Sequence, residues 1–206
     1  MINANADAMG IIFPNNYDKF VPELVSERLM ASIPFASRYR MIDFLLSSMV
    51  GCGIDKIEVL VRENYHSLVD HLGGGREWDL SRKNGGLSIF PPFAQKSIGS
   101  MGGGRVEALA NILPVLKKQK EKYVIMADTN IAANFDFNAL IAQHVKTDAD
   151  ITFAYTKEEL PQELTGAKDA SKGLYYTLKL DGDKVEDIYI NKQEQGVQNF
   201  SMNIYI

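Results

Sequence analysis

A chain of 206 residues that is 46% hydrophobic is long enough for one large or two small domains and can bury a substantial core. Its net charge of −4 comes without any Lys/Arg-rich block, so recognition of a nucleic-acid backbone, which needs clustered cations, is a poor expectation. No apolar run approaches the ~20 residues of a membrane helix, Met1–Gly10 lacks the basic and apolar regions of a secretory signal, and the single cysteine, Cys52, cannot form an internal disulfide. The expectation is a soluble cytoplasmic protein with neither nucleic acid nor membrane as partner.

Short apolar runs alternate with helical patterns along the chain. Ala8–Pro14 reads as a first strand. Arg38 to Val50 carries apolar residues at 41, 42, 45, 46, 49 and 50, a helical stripe stopped by Gly51 and Gly53. Lys56–Val61 follows as a buried strand, and Tyr65–Leu72 as a short helix closed by three glycines. Leu87–Phe90 is a strand ended by Pro91 and Pro92. Val106, Leu109, Ile112, Leu113 and Leu116 mark an amphipathic helix, Lys122–Ala127 a central strand, and Phe137 to His144 another helix. Asp150–Tyr155 reads as a strand. Leu174–Leu180, a turn at Asp181-Gly182-Asp183 and Val185–Ile190 form a hairpin, and Phe200–Ile206 is a last strand inside which the chain stops, as the front part of a longer polypeptide would.

The alternation predicts an α/β fold with a mostly parallel, doubly wound sheet and a β-rich appendage from about residue 172. Ligands in such folds bind beyond the carboxyl ends of the strands, which points to residues 14–20, 62–66, 100–105 and 128–131.

Several residues there carry potential chemistry. Gly102-Gly103-Gly104 before a helix either cradles phosphate through free backbone N–H groups or is a flexible loop. Neither Gly-x-Gly-x-x-Gly after the first strand nor a Walker lysine motif is present, which argues against a dehydrogenase or a P-loop ATPase. Asp128 follows the central strand, where a carboxylate can hold a divalent metal, although a solvated loop acid is the plainer reading. His66, His71 and His144 share no metal-ligand spacing with Cys52 and read as surface or packing residues. Trp78 reads as packing. Arg38 and Arg40 either meet an anion or solvate a helix start, and Lys192 taken alone reads as a surface charge.

One stretch, Ser32–Ile54, is more specific. Arg38-Tyr39-Arg40, Ile42-Asp43-Phe44, Leu46-Ser47-Ser48 and Cys52-Gly53-Ile54 occur in the order found in the ADP-glucose pyrophosphorylase (glucose-1-phosphate adenylyltransferase) family, which the chain resembles. His66-Ser67-Leu68, Trp78, Phe90-Pro91-Pro92, Tyr123-Val124-Ile125, Ser201-Met202 and Ile204-Tyr205 extend the resemblance nearly collinearly along the chain. It implies a Rossmann-like nucleotidyltransferase domain spanning residues 1–206, cut from a longer chain whose left-handed β-helix is absent here. The implied chemistry joins ATP and glucose 1-phosphate to give ADP-glucose and pyrophosphate, with Mg²⁺ as cofactor.

The departures from the family pattern resemble those of a GlgD-type regulatory subunit. The family's phosphate loop, Gly-Gly-x-Gly-x-Arg-Leu, falls on Asn15, Asn16, Tyr17, Asp18 and Phe20, where side chains obstruct close backbone approach and the cations are gone. The Lys-Arg-Ala-Lys-Pro element becomes Glu27-Arg28-Leu29-Met30-Ala31. Gly-Thr-Ala-Asp-Ala maps onto Gly104-Arg105-Val106-Glu107-Ala108, and the metal-binding aspartate of Ser/Ala-Gly-Asp-His onto Asn130. Catalytic residues are therefore not expected. Gly104, Glu107 and Asp128 are the implied remnant of the nucleotide site, and metal binding by this chain itself should be weak. In the sugar-phosphate half, Phe-Val-Glu-Lys-Pro reads Tyr189-Ile190-Asn191-Lys192-Gln193; Lys192, Ser201 and Gly173 are the implied surviving contacts. The resemblance implies a catalytic GlgC-type partner, a hetero-oligomer with a tetramer as one arrangement, and a sugar-phosphate effector. An active nucleotidyltransferase with an altered loop and a sugar-phosphate-sensing module are the alternatives.

Overall fold

The computed structural model describes residues 7–14, 18, 21–91, 105–165 and 175–206. β1 (Ala8–Phe13) is buried along its whole length, because alternate side chains enter two different cores. A hairpin of β2 (Pro34–Phe35) and β3 (Tyr39–Arg40) precedes α1 (Met41–Gly51). The predicted helix therefore starts three residues later than expected. Tyr39 and Arg40 are extended, and the Asp43 carboxylate accepts the Arg40 backbone N–H at 2.9 Å, which fixes the helix start.

β4 (Lys56–Leu60), α2 (His66–Leu72), β5 (Gly86–Phe90), α3 (Arg105–Leu116) and β6 (Tyr123–Asp128) follow the expected order. α4 (Phe137–Thr147) is capped by Asp136, whose carboxylate accepts from the N–H groups of Asn138 and Ala139. β7 (Phe153–Glu159) begins three residues later than predicted and runs further. β8 (Tyr176–Asp181) and β9 (Lys184–Ile190) form the expected hairpin, and β10 (Val197–Tyr205) is longer than its apolar core.

The architecture is mixed α/β and Rossmann-like, with parallel strands at the centre of the sheet. Strands β5, β4, β1 and β6 are parallel neighbours, and β10 lies antiparallel to β6. β10 also pairs with β7 and with β8. The β-rich appendage is thus hydrogen-bonded into the same eight-stranded sheet, with β10 as the joint.

On one face Ala8 and Ile12 of β1 join Ile42, Leu45, Leu46 and Met49 of α1 and Phe137 and Ile141 of α4. On the other, Met9, Ile11 and Phe13 join Ala108 and Ile112 of α3. Where β5 begins, Gly86 has φ of +84°, and a Cβ there would lie 2.4 Å from the Leu80 carbonyl oxygen. Only glycine fits that close approach.

Glu58 is the exception in the middle of β4. It is 3% exposed, and its Oε2 has no hydrogen-bond partner. Burial raises its carboxyl above the ordinary glutamate value, only partly offset by the Ser88 hydroxyl and the charge of Lys56. Below that ordinary value the folded and unfolded chains both carry the proton. As pH rises from there through the raised folded value, ionisation is harder in the folded state, so stability falls. Melting temperature followed across that window should decline for the natural chain and stay flat for Glu58→Gln; parallel curves would mean that Glu58 ionises without cost.

Candidate functional site

The parallel register sets Asp128, the last residue of β6, beside Phe13, the last residue of β1. The carboxyl ends of the two central strands therefore open at one place. α3 delivers Arg105 to it from its first position.

Asp128 is 1% exposed, which corrects the expectation of a solvated loop acid. Its carboxylate is bound by the Arg105 guanidinium: Nε donates to Oδ1 at 3.3 Å and Nη2 to Oδ2. A buried carboxylate is tolerated only when charge and hydrogen bonds compensate it, and a two-pronged guanidinium contact provides both. The guanidinium also lies over the Tyr205 ring, 5.9 Å from its centroid, where the ring face favours a cation.

Tyr205 extends the network into β10. Its hydroxyl donates to Asn203 Oδ1 at 2.7 Å, and the Asn203 backbone N–H donates to Ser201 Oγ at 3.1 Å. Asn203 has φ of +54°, a left-handed conformation that asparagine tolerates better than most residues. Burial raises the Tyr205 phenol above its ordinary value, with the positive charge of Arg105 opposing. Arg105, Asp128, Tyr205, Asn203 and Ser201 are thus one connected polar cluster spanning α3, β6 and β10.

Two residues after Asp128, Asn130 has its Oδ1 buried without a hydrogen-bond partner. The segment after β6 is tied to α1, because the Phe135 N–H donates to Ser48 Oγ at 3.1 Å.

The residues do not fit the divalent cation that the family resemblance implies. Both oxygens of Asp128 are taken up by Arg105, and the Asn130 oxygen carries no charge. Among the described residues no three His, Cys, Asp or Glu side chains gather into a metal-holding group.

The expected sugar-phosphate residues are divided. Ser201 belongs to the Arg105–Asp128 cluster. Lys192 follows β9, and its ammonium is held by the Glu194 carboxylate at 2.8 Å, 4.0 Å from the Tyr189 ring centroid. The hydrogen bond to Glu194 raises its pKa. Its backbone is fixed by Tyr175, whose hydroxyl donates to the Lys192 carbonyl at 2.8 Å. Asn191, in the place of the family's glutamate, has φ of +51° and accepts the Tyr175 N–H on its side chain. Glu107 is half-buried in the first turn of α3. Asn15, Asn16, Tyr17, Phe20, Gly104 and Gly173 lie outside the described residues, as do Gly102 and Gly103. Within that loop Asp18 has a structural task, since its carboxylate accepts the Met30 N–H at 2.8 Å.

His66 is exposed, while the other two histidines pack. His71 Nε2 lies 2.6 Å from Asp43 Oδ1 and edge-on to Trp78, and His144 Nδ1 lies 2.8 Å from Thr152 Oγ1. Arg40 binds the Ser67 carbonyl and hydroxyl, a structural contact in place of an anion or solvent. Sequence reasoning missed the partnership of Arg105 with Asp128 and Tyr205. Its signal was an arginine opening one helix and a carboxylate ending the next strand.

Residues 23–167 match the sequence profile of the family described as nucleotidyl transferase. The chain belongs to the nucleotidyl transferase family. It is 36% identical over 151 residues to the glycogen biosynthesis protein GlgD of Geobacillus stearothermophilus, covering 72% of this chain and 43% of that protein. Against GlgD of Bacillus subtilis the identity is 33% over 149 residues, with the same two coverages. Glucose-1-phosphate adenylyltransferase of Clostridium novyi is 32% identical over 185 residues, covering 89% of this chain and 46% of that one. The chain thus spans less than half the length of these relatives. Among solved structures, one described as a candidate glucose-1-phosphate thymidylyltransferase from Bacillus anthracis superposes with a TM-score of 0.67 at 14% identity. It covers 96% of this chain and 70% of that one, a likeness of fold. Among the described residues, no helix is long and apolar enough to cross a membrane.

The hydroxyl of Tyr205 is the hinge of the cluster. Tyr205→Phe should lower stability by about 0.5–1.5 kcal/mol in urea denaturation, the ordinary worth of one hydrogen bond. An unchanged midpoint would mean that the Asn203 contact contributes nothing.

Proposed function

We propose that this chain is the nucleotidyltransferase domain of a regulatory, catalytically impaired subunit of glucose-1-phosphate adenylyltransferase, acting in glycogen biosynthesis beside a catalytic GlgC-type partner. The assembly is a cytoplasmic hetero-oligomer that makes ADP-glucose and pyrophosphate from ATP and glucose 1-phosphate, with Mg²⁺ held chiefly by the catalytic partner. The observation that carries this reading is the state of the central strand end. Asp128 is neutralised by an arginine of the same chain, and Asn130, two residues further on, has no charge. Transfer to a phosphate places negative charge on oxygens that preorganised cations must meet, and each such stabiliser is worth orders of magnitude in rate. Similarity to two GlgD proteins supports the same assignment.

ADP-glucose formation by the full-length subunit alone, the catalytic partner alone and the two together tests it. The expected result is no turnover by this subunit and an altered rate or substrate affinity in the mixture. Vigorous turnover by this subunit alone would sink the proposal.

A second reading, a sugar-phosphate sensor, is favoured by the link from Ser201 through Asn203 and Tyr205 to Arg105, which gives an occupied sugar site a route to the strand end. Lys192 sits on the surface, where breaking its Glu194 pair costs little. Lys192→Ala should therefore weaken binding of glucose 1-phosphate or fructose bisphosphate by roughly tenfold or more, in line with loss of a charge-assisted contact. Identical titration curves for the two proteins would exclude Lys192 from the site.

A further inference from the structure

We infer that Arg105 is a built-in replacement for a divalent cation, a tethered counter-ion that occupies Asp128 and makes this strand end independent of metal. Three observations meet in it. Asp128 is 1% exposed at the carboxyl end of the central strand, and the Arg105 guanidinium reaches both of its oxygens. The Tyr205 ring lies against that guanidinium and orders it from the β10 side. Arg105 is the first residue of α3 and Asp128 the last of β6, so the two charges meet from successive elements of the chain.

The chemistry of the two cations differs in a way that matters. A magnesium ion demands octahedral oxygen coordination and keeps several waters, so a carboxylate serves it as a ligand only while its oxygens are free, and both oxygens of Asp128 are bound by Arg105. A guanidinium brings its charge on a planar fork matched to a single carboxylate, and α3 carries it to the site without any equilibrium with dissolved metal. The positive charge at the strand end is consequently fixed, while it cannot exchange or enter with a metal–nucleotide complex.

This inference rests on the nucleotidyltransferase family and its strand-end site, and not on the regulatory role. Its test reads metal binding and stability, so that strong turnover by the subunit alone would sink the regulatory reading and leave these results standing. Free Mn²⁺ is followed by electron paramagnetic resonance, and melting temperature by calorimetry with EDTA or with Mn²⁺. The full-length natural protein, Arg105→Met, Asp128→Asn and the double variant are compared.

The natural protein and Asp128→Asn should bind Mn²⁺ alike. Arg105→Met leaves a buried, uncompensated carboxylate, so it should melt several degrees lower in EDTA. It should also gain a Mn²⁺ site that restores the melting temperature and that disappears in the double variant. If Arg105→Met does not fold in EDTA, recovery either with Mn²⁺ or in the double variant supports the assignment, and recovery in neither overturns it. Loss of a Mn²⁺ site from the natural protein on Asp128→Asn would also overturn it. So would an Arg105→Met protein that folds yet binds no more Mn²⁺ than the double variant.

Discussion

A carboxylate placed almost out of solvent at the end of the central strand must be compensated, and much of the site's arrangement follows from that requirement. Asp128 ends β6, flanked by β1 and β10, and is 1% exposed. The Arg105 guanidinium compensates it, which in turn fixes where α3 begins relative to the sheet. Breaking such a pair by removing one partner typically costs about 3–5 kcal/mol, because the other charge is left buried and alone. The pair need not raise net stability to matter. It sets the position of the α3 N-terminus, and with it the α3 residues Ala108 and Ile112 that complete the second core beneath β1.

The same cluster joins the two halves of the molecule. β10 pairs with β6 near its end and with β7 and β8 earlier, so it belongs to the parallel core and to the antiparallel extension at once. Ser201, Asn203 and Tyr205 lie on that strand and carry hydrogen bonds from the extension to the ring that supports Arg105. An apolar set of residues at these positions would have made a sheet equally well. Their polarity serves the strand end.

Elements with strong periodicity were legible from the chain alone. β1, β4 and β6 are apolar runs because they are buried on both faces, and the α1 stripe faces one core. The hairpin at Pro34–Arg40 was not legible, since two-residue strands leave no periodic signal and Tyr39 and Arg40 run directly into a helical stripe. The early part of β10 was missed for a related reason: Val197, Gln198 and Asn199 are held by pairing with β7, which composition does not report. At the site, the absence of a charge at position 130 could be read directly. That Asp128 is buried rather than solvated could not, because its partner lies 23 residues away on another element.

A neutral residue at position 130 on its own would leave Asp128 a buried charge without compensation at the strand end. Here position 130 is neutral, while the acid at 128 and the base at 105 satisfy one another. The outcome is a closed electrostatic circuit in which the charges of Arg105 and Asp128, with the Tyr205 ring, hold α3, β6 and β10 together. A domain with that circuit keeps the family's fold, and the charges at its central strand end hold the elements of that fold together.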